Sequence, residues 1–126
     1  LGRDGIDADR FNMLHAEGEQ KVPYITQVLS ATGHTGPTIA TTDYIKAYAD
    51  QVRAFVPGQY RVLGTDGFGR SDSRENLRRH FEVDANYITF AALYELSKQG
   101  QFDKKALATA IQELGIDPDK INPLYA

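Results

Sequence analysis

The stretch TIATTDYIKAYADQVRAFVPGQYRVL, residues 38–63, decides the fold. Thr38-Ile39-Ala40-Thr41 is short, partly β-branched and follows Pro37, which is how a strand begins. Thr42 or Asp43 can cap a following helix, because either side-chain oxygen accepts a free backbone N–H. Tyr44, Ile45, Tyr48, Ala49, Val52, Phe55 and Val56 then recur at helical spacing, so the expected helix has one apolar face. Pro57-Gly58 ends it, and Tyr60-Arg61-Val62-Leu63 reads as a second strand. Strand, helix and strand with short joints make a βαβ unit, hence a parallel pair with a right-handed crossover. The fold class is α/β.

Upstream, residues 1–21 are polar apart from Phe11-Asn12-Met13-Leu14 and read as a connector that docks a few side chains. Pro23 suits the first position of a short helix with Ile25, Val28 and Leu29 on one side. Residues 31–37, with two glycines and a proline, form a loop. The organisation is therefore a connector and short helix over 1–36 and a βαβ core with C-terminal helices over 37–126. Downstream, Asp72 and Glu75 have capping-box spacing for a helix through His80, with Leu77 and Phe81 on one side. A longer helix is expected over 84–99, with Tyr87, Ile88, Ala91, Ala92 and Leu96 inward and Gly100 just past its end. Asp103 caps another, which points Leu107, Ile111 and Leu114 inward and stops at Gly115; Asp117-Pro118 opens a final turn.

Two strands are too few for a parallel sheet, which is normally covered on both faces and wider. Further strands are expected upstream of Leu1 or in weaker segments. The chain opens Leu1-Gly2-Arg3 and its one methionine is Met13, so it reads as a piece of something longer.

Composition narrows the function. The chain has 126 residues, 25% charged and 41% hydrophobic, with a net charge of -3, so nucleic acid is not an expected partner. No apolar run approaches a membrane span, and no membrane partner is expected. Without cysteine there is no disulfide, thiolate nucleophile or Cys-ligated zinc. His15, His34 and His80 are scattered, with no metal-ligand spacing, and no Gly-x-Ser-x-Gly elbow occurs. No catalytic, cofactor-binding or metal residue is assigned.

The segment GTDGFGRSDSRENLRRHF, residues 64–81, comes nearest to a site. It follows a strand and carries Gly64, Gly67, Gly69 and Ser71 at almost phosphate-loop spacing. Arg70 stands where a lysine is needed, Asp66 puts a carboxylate in the cradle, and no later strand ends in a magnesium-holding aspartate. The dinucleotide pattern fails as well, since Asp72 replaces its third glycine. Two readings remain level. One is a loop of tight turns, its arginines solvated or paired with Asp66, Asp72 and Glu75. The other is a protein interface built on Asp66, Phe68, Arg70, Asp72 and Arg74, since arginine and aromatics are enriched there.

YRVLGTDGFGRSDSRENLRRHFEVDANYI, with FNMLH, VPYITQVL, TTDYIKAYADQVRAFVP and DKINPLYA, resembles the C-terminal domain of the homodimeric, bacterial-type pyruvate dehydrogenase first component. That family is transketolase-like and depends on thiamine diphosphate, and the likeness extends through essentially the whole chain. It implies a three-layer α/β/α sandwich with a mixed, mostly parallel sheet, here lacking its first strands. It implies a non-catalytic, dimer-forming domain in a bacterial cytoplasmic enzyme that decarboxylates pyruvate and reductively acetylates a lipoyl group. Thiamine diphosphate and magnesium belong to the parent enzyme and none to this segment, which is expected to be inactive alone. The implied partners are a second copy, the rest of the parent chain and the dihydrolipoamide acetyltransferase core. The same domain of another transketolase-like enzyme, or a free-standing interaction domain, are the alternative readings.

Overall fold

The βαβ unit is present, but its crossover is shorter than expected. The computed structural model describes residues 1–31, 33, 36–66 and 73–125. Strands β1 (Thr38–Thr41) and β2 (Tyr60–Leu63) run parallel, with Thr38 opposite Tyr60 and Thr41 opposite Leu63. Thr38 N–H donates to Gln59 O and Thr42 N–H to Leu63 O, both at 2.9 Å, which locks the register at each end. Among the described residues the sheet has these two strands. Side chains alternate across a strand, and the partners of β2 show what lies on each face. Arg61 reaches Glu95 of helix α5 (Ala85–Lys98), while the Tyr60 hydroxyl donates to Ala49 O of helix α3 (Lys46–Asp50). Helix, sheet and helix thus form three layers.

The apolar spacing over residues 44–56 does not become one long helix. Helix α3 has five residues, and a 3-10 turn over Arg53–Phe55 follows it. Neither Thr42 nor Asp43 caps it. Thr42 Oγ1 instead accepts the Tyr44 N–H at 3.0 Å, and Ile45 precedes the helix in an extended conformation. Tyr44 and Tyr48 are 71% and 64% exposed, so the expected apolar face looks outward. The break at Val52, with φ -97° and ψ 1°, redirects the chain so that Val56 is buried. Arg53 ties the turn down by donating to Asp50 at 2.7 Å and to Tyr60 O at 2.6 Å.

The polar segment read as a connector folds mostly as a 13-residue helix, α1 (Gly2–Leu14). It was illegible because its buried contacts are Gly5 and Ala8 rather than large apolar residues. A Cβ on Gly5 would lie 2.3 Å from the Phe55 ring, so only glycine lets the helix approach so closely. Helix α2 (Tyr24–Ser30) packs against α1, and Asp4 Oδ2 of α1 accepts the Tyr24 N–H at 2.7 Å. Asn12 and Lys21 exchange two hydrogen bonds, Nδ2 to Lys21 O at 2.8 Å and Lys21 N–H to Oδ1 at 2.7 Å. The segment after α1 is folded back along it.

Beyond the sheet, helix α4 (Arg74–His80) starts from Ser73, whose Oγ accepts the Asn76 N–H at 3.3 Å. Ser73 therefore caps α4, where Asp72 was expected. Asp103 caps α6 (Lys104–Glu113) through the Lys105 N–H, as expected, and Asp84, where the longer helix was expected to begin, caps α5 through the Tyr87 N–H. Gly100 at φ 77° and Gly115 at φ 67° stop these two helices in a left-handed conformation that favours glycine. Lys120 Nζ donates to His80 O at 2.7 Å and holds the α4–α5 turn, where Glu82 adopts φ 62°. Apart from Phe81, the buried apolar side chains of the core are small or medium: Ala8, Val56, Val62, Val83, Ala91 and Ala110.

Candidate functional site

Both strands deliver their following loops to the same end of the sheet, where ligands and partners of open α/β sheets usually bind. After β2 come Gly64, Thr65 and Asp66, and after β1 come Thr42, Asp43 and Tyr44. Gly64 is buried between the two loops. A Cβ there would meet Lys46 Cγ at 2.8 Å, and Thr42 Cγ2 and Tyr44 O at 3.0 Å. Thr65 N–H donates to Tyr44 O at 2.9 Å. Asp66 Oδ1 accepts the Lys46 N–H at 3.1 Å and so caps α3 from twenty residues away. The carboxylate that looked out of place in a phosphate cradle satisfies the first backbone N–H of a helix that has no side-chain cap of its own.

Phe68, Arg70 and Asp72 lie outside the described residues. Arg74 opens α4 and, with Arg78 one turn on, lines a cleft of about 700 Å³. Thr41 and Thr42 border the cleft from the β1 side, and Val83 and Ile88 contribute apolar surface. Asp66 and Arg74 thus serve different structures: Asp66 the crossover helix, Arg74 the cleft.

A second polar cluster went unnoticed in the sequence. Glu95 is 3% exposed, yet its carboxyl group is well partnered. Arg61 Nε lies 2.5 Å from its Oε1, Gln59 Nε2 donates to its Oε2 at 2.8 Å, and Lys98 Nζ is 3.6 Å away. The Arg61 and Lys98 cations both sit over the Tyr94 ring, 5.1 and 5.4 Å from its centre. The available signal was an arginine inside a strand and a glutamate four residues after inward Ala91. Burial pushes the Tyr60 hydroxyl above the ordinary tyrosine value, with nearby Arg53 opposing and Asp50 assisting. Burial does the same for Tyr87, reinforced chiefly by Glu82 and Asp84.

Among the described residues, no three His, Asp or Glu side chains gather in metal-binding geometry. No described helix is long and apolar enough to cross a membrane.

A parallel strand–helix–strand core between helical layers, with two interlocked loops at its carboxyl end, agrees with the sequence relationships. The family of transketolase-like C-terminal domains matches residues 4–84, and the chain belongs to it. Over its whole length the chain is 58% identical to the pyruvate dehydrogenase E1 component of Haemophilus influenzae, and equally to that of Escherichia coli K12. It is 50% identical to that of Pseudomonas aeruginosa over 98% of its length. The chain spans 14% of the length of each of these relatives.

Proposed function

We propose that this chain is the non-catalytic, dimer-forming C-terminal domain of a bacterial, cytoplasmic pyruvate dehydrogenase first component. The parent enzyme decarboxylates pyruvate with thiamine diphosphate and magnesium and passes the acetyl group to a lipoyl group of the acetyltransferase core. In this reading the present residues bind neither cofactor nor metal. The loop carrying Asp66, Phe68, Arg70, Asp72 and Arg74 serves structure and contact rather than chemistry.

One observation carries the reading. The chain exposes 8919 Å², whereas a compact monomer of 14.0 kDa exposes about 6,700 Å². The excess is larger than the roughly 800 Å² each partner gives to a standard interface. Exposed Tyr44, Ile45 and Tyr48 concentrate apolar surface on the α3 layer, which suits a domain covered by other parts of a dimeric enzyme.

A graft tests it. The chain, exchanged for the matching segment of the Escherichia coli relative, should give a dimer that decarboxylates pyruvate at close to the relative's own rate. The chain alone should give no saturable heat when titrated with thiamine diphosphate and magnesium. A folded, dimeric but inactive graft overturns the non-catalytic role, and so does micromolar cofactor binding by the chain alone.

A further inference from the structure

Three helices of the chain end in the same way, one of them with a residue that the geometry disfavours. After α5 the Gly100 and Gln101 N–H groups return to Ser97 O and Leu96 O, and after α6 those of Gly115 and Ile116 return to Gln112 O and Ile111 O. After α4 the Glu82 and Val83 N–H groups return to Arg79 O and Arg78 O at 3.2 and 2.9 Å. The residue at the turning point is left-handed each time, at φ 77° for Gly100, 67° for Gly115 and 62° for Glu82. Glycine adopts that conformation without a steric penalty, whereas a side chain crowds the backbone. Among the described residues Glu82 is the only one other than glycine to adopt it. Such a conformation persists where its surroundings fix it, and it points to a use for the side chain.

The Glu82 carboxylate meets the C-terminal segment. Lys120 Nζ lies 3.5 Å from Glu82 Oε1 and donates to His80 O at 2.7 Å, so one ammonium spans the end of α4. That end is where a helix leaves carbonyls open and where its dipole favours a cation. Lys120 is the one residue between Asp117 and Asn122 that is not exposed. It anchors a stretch whose other hydrogen bonds between described residues stay within the C-terminal segment. Helix α4 depends on such an anchor, for none of its own residues is buried and no described element packs closely along it. Its fixed points lie just past its end, where Phe81 and Val83 are buried and Lys120 holds the turn. At its other end Arg74, with Arg78 one turn on, borders the cleft shared with Thr41 and Thr42. We propose that residues 116–125 are a strap that sets the position of α4, and with it the arginine side of the cleft, through Lys120 and Glu82. Released, the strap leaves α4 tethered by Phe81 and Val83.

Hydrogen exchange and thermal unfolding of the intact protein test the proposal together. Lys120→Met should quicken exchange at the hydrogen-bonded amides of Leu77, Phe81 and Val83, with the interiors of α5 and α6 unchanged. The expected factor is about tenfold or more, as for the loss of a charge-assisted hydrogen bond. Glu82→Gly removes the crowded conformation and the carboxylate at once. It should therefore raise the thermal midpoint more in the Lys120→Met background than in the native chain, where the lost pairing offsets the gain. Three results overturn the proposal. One is unchanged exchange in α4 of Lys120→Met. Another is quickening spread evenly through α5 and α6, which would make Lys120 a support of the whole fold. The third is an equal midpoint shift for Glu82→Gly in both backgrounds, which would leave Glu82 and Lys120 uncoupled.

Discussion

The short helices α2 and α3, the second of them in the crossover, and the C-terminal helical pair are built on opposite principles. Helices α5 and α6 are capped by Asp84 and Asp103, each within three residues of the N–H it accepts, and ended by Gly100 and Gly115. Helices α2 and α3 have no side-chain cap of their own, and each receives one from twenty residues away, Asp4 and Asp66 respectively. A helix capped locally can begin to form before the rest of the chain is in place. A helix capped at a distance forms only when both loops meet. The crossover is thus a product of assembly, whereas the helical pair is largely its own cause.

The largest effect is expected where the two regions are joined. Arg61→Met removes the main cation from Glu95 and leaves a carboxylate that is 3% exposed beside Gln59 and a more distant Lys98. Breaking such a pair should cost about 3 kcal/mol, the lower end for a buried ion pair because Arg61 itself is partly solvated. Urea unfolding measures it, and a loss below about 1 kcal/mol would mean that Lys98 replaces Arg61. Arg61→Met/Glu95→Met should recover most of the stability, since a well-packed apolar pair has no charge to desolvate.

Gly64→Ala comes next, at about 2 kcal/mol from overpacking, because its Cβ meets Tyr44 O and Lys46 Cγ. Hydrogen exchange should quicken at the amides of Lys46 and Thr65 together. Exchange at Thr65 alone would show that the two loops are not coupled.

Asp66→Ala should cost about 1.5 kcal/mol and Asp84→Ala about 1 kcal/mol, both within the range for lost caps. Their footprints separate the two principles more sharply than their sizes. Losing Asp84 should loosen only the first turn of α5, whereas losing Asp66 should loosen α3 and the segment after β2. Undiminished stability in Asp66→Ala, with activity abolished in the parent enzyme, would instead make Asp66 a catalytic residue.

The smallest effect is alkaline. Tyr60 and Tyr87 have folded pKa values raised by burial, so the unfolded chain loses these protons first. Their contribution is fully present below the ordinary tyrosine value of 10.0 and is lost as pH rises through the folded values. Thermal unfolding between about pH 9 and 11 should show the decline, and Tyr60→Phe should reduce its slope. An unchanged slope assigns the decline to other groups.

Much of the architecture was legible from residue spacing alone. Both strands, their parallel pairing, α5 and α6 with their glycine stops, the Asp103 cap of α6, and the α/β class follow from periodicities and end signals that act within a few residues. The helix α1 was not legible, because its inward positions are Gly5 and Ala8, whose value lies in how near they let Phe55 come. The length of α3 was not legible either. The apolar spacing over 44–56 is helical, but the chain breaks at Val52 to bury Val56, and Tyr44 and Tyr48 face outward.

The candidate site divides in the same way. Asp66 stood out as a carboxylate in a glycine loop, but its partner Lys46 lies across the crossover and has no sequence signal. Arg74 was singled out with the loop, while its place in the cleft that Thr41 also borders depends on segments brought together by the fold. Glu95 reads as one more surface glutamate until β2 brings Arg61 against it. Sequence alone determined what is held by contacts a few residues apart. Only tertiary structure decided the distant caps, the close approach at Gly5 and the buried charge, because each requires segments brought together by the whole fold.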